Sequence, residues 1–271
     1  MYFLKILTIL LLFTILTIVT QIGGLVLLTA LLFTKVIIRK LKLNRRIVIV
    51  VTFVTLYLIS VFLLIPILAK PFSRVPIKNT QNLKPLNYLT VLLNRNYVTP
   101  KLNQTISNIS IEFTKKHPGS ILAYLDASFP FDITPLLPHL SHTDGKKLDL
   151  AFFYTDSNLN PLNKKSPSWL GYGVSEDPLE NEVNTTKTCR NEGYWQYDLI
   201  NRITPQYKKS KYLFDLERSK SLLTVIIANK NVSKVFIEPH LKDRMGINSS
   251  KARFQGCHSV RHDDHIHLQI F

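Results

Sequence analysis

The stretch that decides the fold is ILTILLLFTILTIVTQIGGLVLLTALLFT, residues 6–34, which carries no charged side chain. A helix needs roughly 20 apolar residues to cross a bilayer, so this stretch predicts one tilted membrane-spanning helix. Two helices that form a hairpin are the alternative, which is less favoured because a break at QIGG, residues 21–24, would leave halves of about 15 residues. Residues 47–69, IVIVVTFVTLYLISVFLLIPILA, predict a second span. A pair of soluble core helices is disfavoured, because such helices need a polar face.

A basic segment separates the two apolar stretches. KVIIRKLKLNRR, residues 35–46, holds six Lys and Arg and no acid. Because short basic loops stay on the cytoplasmic side, residues 1–69 predict a transmembrane hairpin with a cytoplasmic loop. Everything from Lys70 onward is then expected outside the cytoplasmic (inner) membrane, in the periplasm or at the cell surface. A cleaved signal peptide is not expected, because only Lys5 precedes the long apolar run and no small-residue cleavage site follows it.

The composition changes sharply after residue 69. The chain of 271 residues has 34 Lys and Arg, 18 Asp and Glu and a formal net charge of +16, but residues 1–69 hold no acid and seven basic residues. Residues 70–271 therefore hold 27 basic and 18 acidic residues, a net charge of +9. The apolar content of 46% argues against disorder as the main state. Only two cysteines in so long a chain argue against a disulfide-scaffold miniprotein.

The polar part divides into a lead-in and a folded domain. Residues 70–118, rich in Pro and Asn, predict a linker and a short structured lead-in, and residues 119–271 predict the domain. Residue alternation predicts strands at 120–129, 147–154, 233–239 and 265–271, and helical spacing predicts helices at 195–203 and 215–230. Helices and strands mix without strict βαβ alternation, so we expect an α+β fold. The Asn-, Ser-, Pro- and Gly-rich segment 154–193 predicts a long surface loop, and such loops are often functional.

The two cysteines are Cys189 and Cys257. Outside the cytoplasm a disulfide is the default state of such a pair, with two free buried thiols as the alternative. A cysteine metal site is not expected, because the sequence has no CxxC spacing.

Two histidine clusters carry the candidate chemistry. The first is HLSH, residues 139–142, followed by Asp149 in an alternating apolar run; the second is HDDHIH, residues 262–267. Residues two apart on a strand share a face, so His265 and His267 present two imidazoles side by side. Asp149 would be costly to bury unpaired, and a nearby cation would remove that cost. Three nitrogen or oxygen ligands with an open position are typical of catalytic zinc.

At these residues the sequence resembles a known family. His142 and Asp149 form an H-x6-D element within H-x-x-G-x-x-x-D-L, and His265 and His267 form an H-x-H element near the C-terminus. In this order the elements resemble the LAS metallopeptidases, which comprise lysostaphin-type peptidases, D-Ala-D-Ala peptidases and hedgehog-like domains. The HDDHIH run is most similar to the penicillin-insensitive murein endopeptidase branch, because His262 stands three before the H-x-H. The resemblance covers roughly residues 120–271 and implies a central antiparallel sheet that carries a zinc site.

The resemblance also implies a role for each residue of the site. His142, Asp149 and His267 would bind Zn²⁺. His265 would stand beside the metal as the general base or as a donor to the tetrahedral intermediate, and His262 would be an auxiliary donor. Zinc lowers the pKa of bound water to about 7, and an adjacent imidazole titrates in the range needed to move the proton.

One departure concerns the base. In the D-Ala-D-Ala branch an acidic residue three before the last ligand serves as base, and Asp264 has that offset here. In a regular strand Asp264 would face away from His267, so His265 is the preferred base and Asp264 the alternative. Second ring nitrogens of ligating histidines usually donate to carboxylates or carbonyls. The carboxylates available in this part of the sequence are Asp263, Asp264 and Glu238.

The expected substrate follows from the predicted location and charge. An exported, membrane-embedded zinc peptidase meets peptidoglycan stem peptides, whose carboxylates a domain of net charge +9 would attract weakly. Arg190 or Arg253 could bind such a carboxylate. No nucleic-acid motif is present, so nucleic acid is not an expected partner, and the oligomeric state is left open. The alternatives are a non-catalytic zinc-containing binding module of hedgehog-like type, and a structural membrane protein whose histidines are incidental.

Overall fold

A computed structural model describes residues 2–41, 44–133, 136–137 and 141–271. The chain forms two compact units. The first comprises Met1–Ile77, Leu89–Pro100 and Ala127–Gly145, and the second comprises Lys78–Tyr88, Lys101–Asp126 and Lys146–Phe271. The architecture is a mixed α and β fold with apolar N-terminal helices and a six-stranded sheet.

The N-terminal helices of the first unit are α1 (Tyr2–Thr20), α2 (Gly23–Leu41), α3 (Arg45–Ile59) and α4 (Ile65–Leu68). A π-helical turn, Ser60–Leu64, joins α3 to α4. It lies next to Pro66, which has no backbone N–H to donate to the preceding turn and whose ring disturbs an α-helix there. Two helical stretches, Phe3–Thr20 and Arg45–Leu68, are long and apolar enough to cross a membrane, and Gly23–Ile38 is a shorter apolar helix.

The prediction of one helix over residues 6–34 is wrong, because the chain breaks after Thr20. Both helices extend beyond the uncharged stretch, because α1 begins at Tyr2 and α2 continues through the basic residues to Leu41. Each helix therefore reaches 19 residues. Gln21 has a positive φ of 68°, which ends α1. At Gly24 a Cβ atom would lie 2.2 Å from the Thr17 hydroxyl, so only glycine allows α2 to approach α1 so closely.

The basic segment predicted as a loop at residues 35–46 is mostly helical. Residues 35–41 continue α2, and Asn44 caps α3 by accepting a hydrogen bond from the Arg46 amide. Residues 42 and 43 lie outside the described residues.

The rest of the first unit packs on one end of these helices. It contains helix α5 (Leu89–Leu92) and the antiparallel strands β1 (Val75–Pro76) and β3 (Tyr97–Val98). A buried apolar cluster joins the α1–α2 junction, the end of the α3–α4 helix and the following segments; its buried members are Ile22, Val26, Val61, Ile65, Ala69 and Tyr97.

The second unit is built on a six-stranded sheet in the order β10-β9-β11-β5-β4-β2. The strands are β2 (Leu83–Pro85), β4 (Leu122–Tyr124), β5 (Lys147–Ala151), β9 (Val232–Phe236), β10 (Ala252–Arg253) and β11 (His265–Ile270). The four middle strands pair antiparallel, as expected, but both edge pairs, β10–β9 and β2–β4, are parallel. The sheet is therefore mixed. A smaller antiparallel sheet contains β6 (Tyr154–Thr155), β7 (Pro161–Leu162) and β8 (Leu213–Phe214).

Helices of the second unit surround the sheet. They are α6 (Pro100–Lys116, of which residue 100 belongs to the first unit), α7 (Thr185–Asn191), α8 (Leu199–Ile203), α9 (Leu216–Ala228) and α10 (Pro239–Arg244). Helix α6, of 17 residues, occupies much of the segment predicted as linker and lead-in. Its Leu102, Ile106, Ile109 and Phe113 recur at helical spacing and are fully buried. The predicted helix 215–230 is observed as α9, and 195–203 is a 3₁₀ turn followed by α8.

Cys189 and Cys257 lie at disulfide distance, with their sulfur atoms 2.00 Å apart, as predicted. The pair joins α7 to the segment that precedes β11 across 68 residues of sequence.

Candidate metal centre

Strand β11 places two histidines on one face of the sheet. His265 and His267 alternate with Ile266 and Leu268, both fully buried. Within the ladder His267 lies directly opposite Asp149 on β5, and on its other side it lies opposite Phe236 on β9. Because β11 pairs with β5 on one side and with β9 on the other, the sheet holds the backbone of its two histidines rigidly.

A third histidine completes a compact group. Nitrogens of His262, His265 and His267 lie within 4.8 Å of one another, and each residue is 1–3% exposed. The ring centroids of His262 and His265 are 5.1 Å apart. His262 precedes the strand, and Glu238 holds the His262 backbone. The Glu238 carboxylate accepts from the His262 amide at 3.1 Å, and the Glu238 amide donates to the His262 carbonyl at 3.1 Å.

Asp149 supplies an oxygen beside this group. Its Oδ1 lies 2.9 Å from His267 Nδ1 and 3.7 Å from His265 Nε2, and its side chain is fully buried. Its Oδ2 accepts a hydrogen bond from the Tyr172 hydroxyl at 2.8 Å. The first separation is close to the distance of about 3.3 Å between two ligands on a tetrahedral zinc with bonds of about 2.0–2.1 Å.

Asp264 contacts the site through His265. One carboxylate oxygen pairs with His265 Nδ1 and the other accepts from the Gly173 amide. In this arrangement His265 Nδ1–H donates, so the ring orientation of His265 is set by the carboxylate. Asp264 thus lies where a partner that orients a histidine is needed.

Burial and the nearby carboxylates shift the pKa values of His265 and Tyr172. Burial by itself lowers the pKa of His265, but the carboxylates of Asp149 and Asp264 outweigh it and raise that pKa to about 9. Burial raises the pKa of the Tyr172 hydroxyl well above its usual range, and the Asp126 and Asp149 carboxylates raise it further. Tyr172 therefore keeps its proton and acts as a donor.

A second buried network lies beside the histidines along the chain. Arg261 donates to both oxygens of Asp263 and to Asp198 at 2.8 Å and Asp177 at 2.7 Å. Burial raises the pKa of Asp263 to about 7, although Arg261 lowers it. Glu238 accepts from the Tyr197 hydroxyl at 2.6 Å. Both carboxylates were expected as partners of ring nitrogens. Asp263 instead binds the Arg261 guanidinium, and Glu238 binds the His262 backbone.

His142 lies in the first unit and is 1% exposed. Its Nδ1 is 2.7 Å from the Ala127 carbonyl oxygen. A carbonyl can only accept, so Nδ1–H donates and Nε2 is the nitrogen that would ligate an ion, the arrangement expected of a metal-ligating histidine. Its ligation of an ion together with Asp149 and His267, implied by the resemblance, stays a prediction.

Tyr124 and His240, and the two arginines considered for substrate binding, have structural partners. The Tyr124 hydroxyl donates to Asn79 at 2.9 Å, and His240 Nε2 is 2.7 Å from the Glu176 carbonyl. Arg190 pairs with the buried Asp198, and Arg253 donates to the Ser250 carbonyl at 2.9 Å. His139 lies outside the described residues.

Tyr172 is the residue of the site that the sequence did not single out. It follows β7 in the predicted surface loop, between Gly171 and Gly173, whose φ values are +87° and +81°. A Cβ at Gly171 would lie 2.5 Å from Leu125, and one at Gly173 would lie 2.2 Å from Thr204. The Gly-Tyr-Gly triplet is the signal that could have identified it, because two tight glycines around one aromatic residue indicate a fixed side chain.

The donor set fits a transition-metal ion. Three imidazole nitrogens and one carboxylate oxygen of the second unit are buried together, which is the ligand chemistry that zinc and related divalent metals prefer. The histidines and Asp149 could therefore bind a metal ion. No family model matches the chain, and no curated protein matches it.

Proposed function

We propose that this protein is a membrane-anchored, zinc-dependent peptidase that hydrolyses a peptide bond in cell-wall peptidoglycan. The observation that carries the proposal is the Asp264–His265 pair beside Asp149 and His267. A binding site for a metal alone needs ligands. A hydrolytic site also needs a group that moves protons, and a histidine oriented by a carboxylate is the usual one.

In this proposal Asp149 and His267, with His142, hold the ion. A bound Zn²⁺ supplies a Lewis acid that polarises a scissile carbonyl and eases deprotonation of water near neutral pH. A cation bound beside Asp149 would offset the carboxylate charge that raises the pKa of His265, so that His265 would accept a proton from water at Nε2 and return it to the leaving amine, while Asp264 holds Nδ1–H and fixes the ring. His262 is a further donor toward the same space.

The structure of the pair favours His265 over Asp264 as the base. Both oxygens of Asp264 already accept hydrogen bonds, from His265 and from the Gly173 amide. A carboxylate committed in this way acts through the imidazole. Asp264 is therefore a positioning residue in the proposed mechanism.

The proposed location rests on the helices and the basic segment. With α1, α2 and α3–α4 crossing in turn, the basic segment at residues 35–46 stays in the cytoplasm. The α1–α2 junction and Ala69 then lie at the opposite surface. The contacts of Ile22 and Ala69 within one buried cluster are consistent with this arrangement. Peptidoglycan is the substrate proposed for such a location, and its carboxylates would be attracted to residues 70–271, of net charge +9.

A second candidate function is a non-catalytic module that uses the ion for structure. The observation that favours it is burial, since Asp149 and the three histidines are 0–3% exposed. Structural zinc sites are closed, whereas catalytic sites keep a position open to substrate.

Hydrolysis of purified peptidoglycan by the full chain in detergent separates these functions. We expect release of stem peptides by zinc-loaded protein, loss of release on chelation and recovery on adding Zn²⁺. His265→Ala should retain zinc but lose hydrolysis by at least about 100-fold, the usual contribution of a general base. His258→Ala, whose exposed ring packs on Tyr194, is the matched control and should keep full activity. Intact peptidoglycan after incubation with zinc-loaded wild-type protein would contradict the peptidase proposal and favour the module.

A further inference from the structure

His142 belongs to the same compact unit as the apolar helices α1–α4. The segment that carries it, residues 127–145, is called the His142 loop here; residues 134–135 and 138–140 of it lie outside the described residues. The candidate ligands Asp149 and His267 belong to the second unit. Bonds within the first unit contribute to the position of His142.

The His142 loop is bonded to the segment 89–100. The Ala127 amide donates to the Arg95 carbonyl at 2.7 Å, and Ser128 exchanges two backbone hydrogen bonds of 3.0 Å with Tyr97. The Ala127 carbonyl in turn accepts from His142 Nδ1. One residue, Ala127, thus joins the histidine to the neighbouring segment through its two backbone groups.

The segment 89–100 is bonded to the apolar helices. The Tyr57 hydroxyl on α3 donates to the Leu92 carbonyl at 2.6 Å. Asn94, fully buried with φ +57°, donates from its side chain to the Thr20 carbonyl at the end of α1, at 3.1 Å. The path from either helix to His142 therefore runs through a few short hydrogen bonds.

A direct bond connects the helix junction with the His142 loop. Gln21 is 4% exposed. Its side-chain nitrogen donates to the Phe131 carbonyl at 2.8 Å, and its side-chain oxygen accepts from the Phe131 backbone amide at 3.0 Å. Burying this polar side chain in an apolar stretch would be costly without such partners. The pair of bonds accounts for a glutamine within an otherwise apolar run and for its left-handed backbone.

We propose that the apolar helices are a positioning element of the metal site: through Tyr57, Asn94 and Gln21 they hold the loop that orients His142. This inference rests on the proposed function, because it assigns His142 as a ligand.

The test measures Zn²⁺ affinity of the full chain in detergent micelles by competition with a chelating dye. Tyr57→Phe removes only the hydroxyl and keeps the ring that stacks on Phe53. A direct partner of a ligand typically contributes 10–100-fold to metal affinity, and because Tyr57 reaches His142 through backbone bonds we expect a smaller but measurable loss in Tyr57→Phe. Gln21→Gly is the second variant, because glycine tolerates φ +68° without strain. Thr29→Val is the control, since the Thr29 hydroxyl donates within its own helix, to the Leu25 carbonyl at 2.9 Å.

A double variant shows whether the effect passes through His142. His142→Ala should lower zinc affinity, and adding Tyr57→Phe to it should cause no further loss. Wild-type affinity in both Tyr57→Phe and Gln21→Gly, with a loss in His142→Ala, would overturn the inference and leave the proposed function standing. A further loss in the double variant would overturn it as well.

Hydrogen exchange provides a readout that needs no metal. In Tyr57→Phe the amides of Ala127 and Ser128 should exchange measurably faster than in wild type, while those of β11 stay unchanged. Thr29→Val should match wild type. Unchanged exchange at both amides would overturn the inference whatever the zinc result, whereas a wild-type chain that binds no zinc would overturn only the proposed function.

Discussion

Tyr172 connects the predicted surface loop to the candidate metal centre through one hydroxyl. That hydroxyl donates to Asp149 Oδ2 and accepts from the Asp126 amide at 3.1 Å, and the ring meets His265 edge to face at 5.0 Å between centroids. The three contacts fix both the carboxylate and the imidazole. Tyr172 therefore determines which oxygen of Asp149 is directed toward the histidines.

Replacement of Tyr172 by Phe should lower metal affinity without unfolding the protein. Phe keeps the ring contact with His265 and loses only the bond to Asp149. Loss of such an outer partner typically costs 10–100-fold in metal affinity, and the lower end is expected here. Zinc competition and thermal unfolding measure the two effects. Tyr207→Phe, with a ring that is 72% exposed, is the control, and equal zinc affinity in the two variants would contradict the assigned role.

At the scale of residues, the sequence pointed to side chains that the structure brings together, but it did not indicate their pairing. The histidine spacing correctly predicts that His265 and His267 share a face of a strand. That His267 faces Asp149 depends on the register between β11 and β5, which are separated by more than 100 residues. Register is set by packing of both faces and cannot be read from either strand alone.

A partly buried ion pair joins two elements of the second unit. Arg244 on α10 donates to both oxygens of Glu182, at 2.9 and 2.5 Å, and so ties the loop before α7 to the helix after β9. These bonds lower the pKa of Glu182 to about 2 from 4.5. The ionised pair fixes the loop that contains Glu182. Earlier in the same loop, the Glu176 amide donates to the Asp263 carbonyl at 2.7 Å.

This pair predicts a pH dependence of stability. Because the pKa of Glu182 is lower in the folded chain, its contribution is complete above about pH 4.5 and is lost as the pH falls toward 2. Glu182→Gln should lower the melting temperature at pH 7 by roughly 2–4 °C per kcal/mol lost. The difference from wild type should shrink steadily between pH 4.5 and 2. A difference independent of pH, measured by thermal unfolding at several pH values, would contradict the pairing.

Among the elements, periodicity predicted α9, β9 and β11 well because their apolar residues recur at one clear spacing. It failed for the apolar stretch at residues 6–34, where nearly every residue is apolar and no face can be distinguished. The junction there depends on Gln21, whose partner Phe131 lies 110 residues away. Helix α6 was missed because its polar face and the prolines nearby concealed a buried stripe.

The whole molecule combines apolar helices with a charged domain. The predicted topology places residues 35–46 inside the cell and residues 70–271 outside. Protease added to spheroplasts that express the full chain should therefore cut the segment 154–193 and spare the basic segment. Permeabilised cells are the control, in which both become accessible. Cleavage of the basic segment in intact spheroplasts would contradict the topology.

Zinc content of the purified full chain tests the central claim most directly. After incubation with Zn²⁺ and removal of excess metal, elemental analysis should give about one zinc per chain, as expected for a site with three or four protein ligands. The Asp149→Asn and His267→Ala variants should lose most of it, and His258→Ala should retain it. Wild-type protein without stoichiometric zinc, or equal zinc in His267→Ala and wild type, would contradict the metal site.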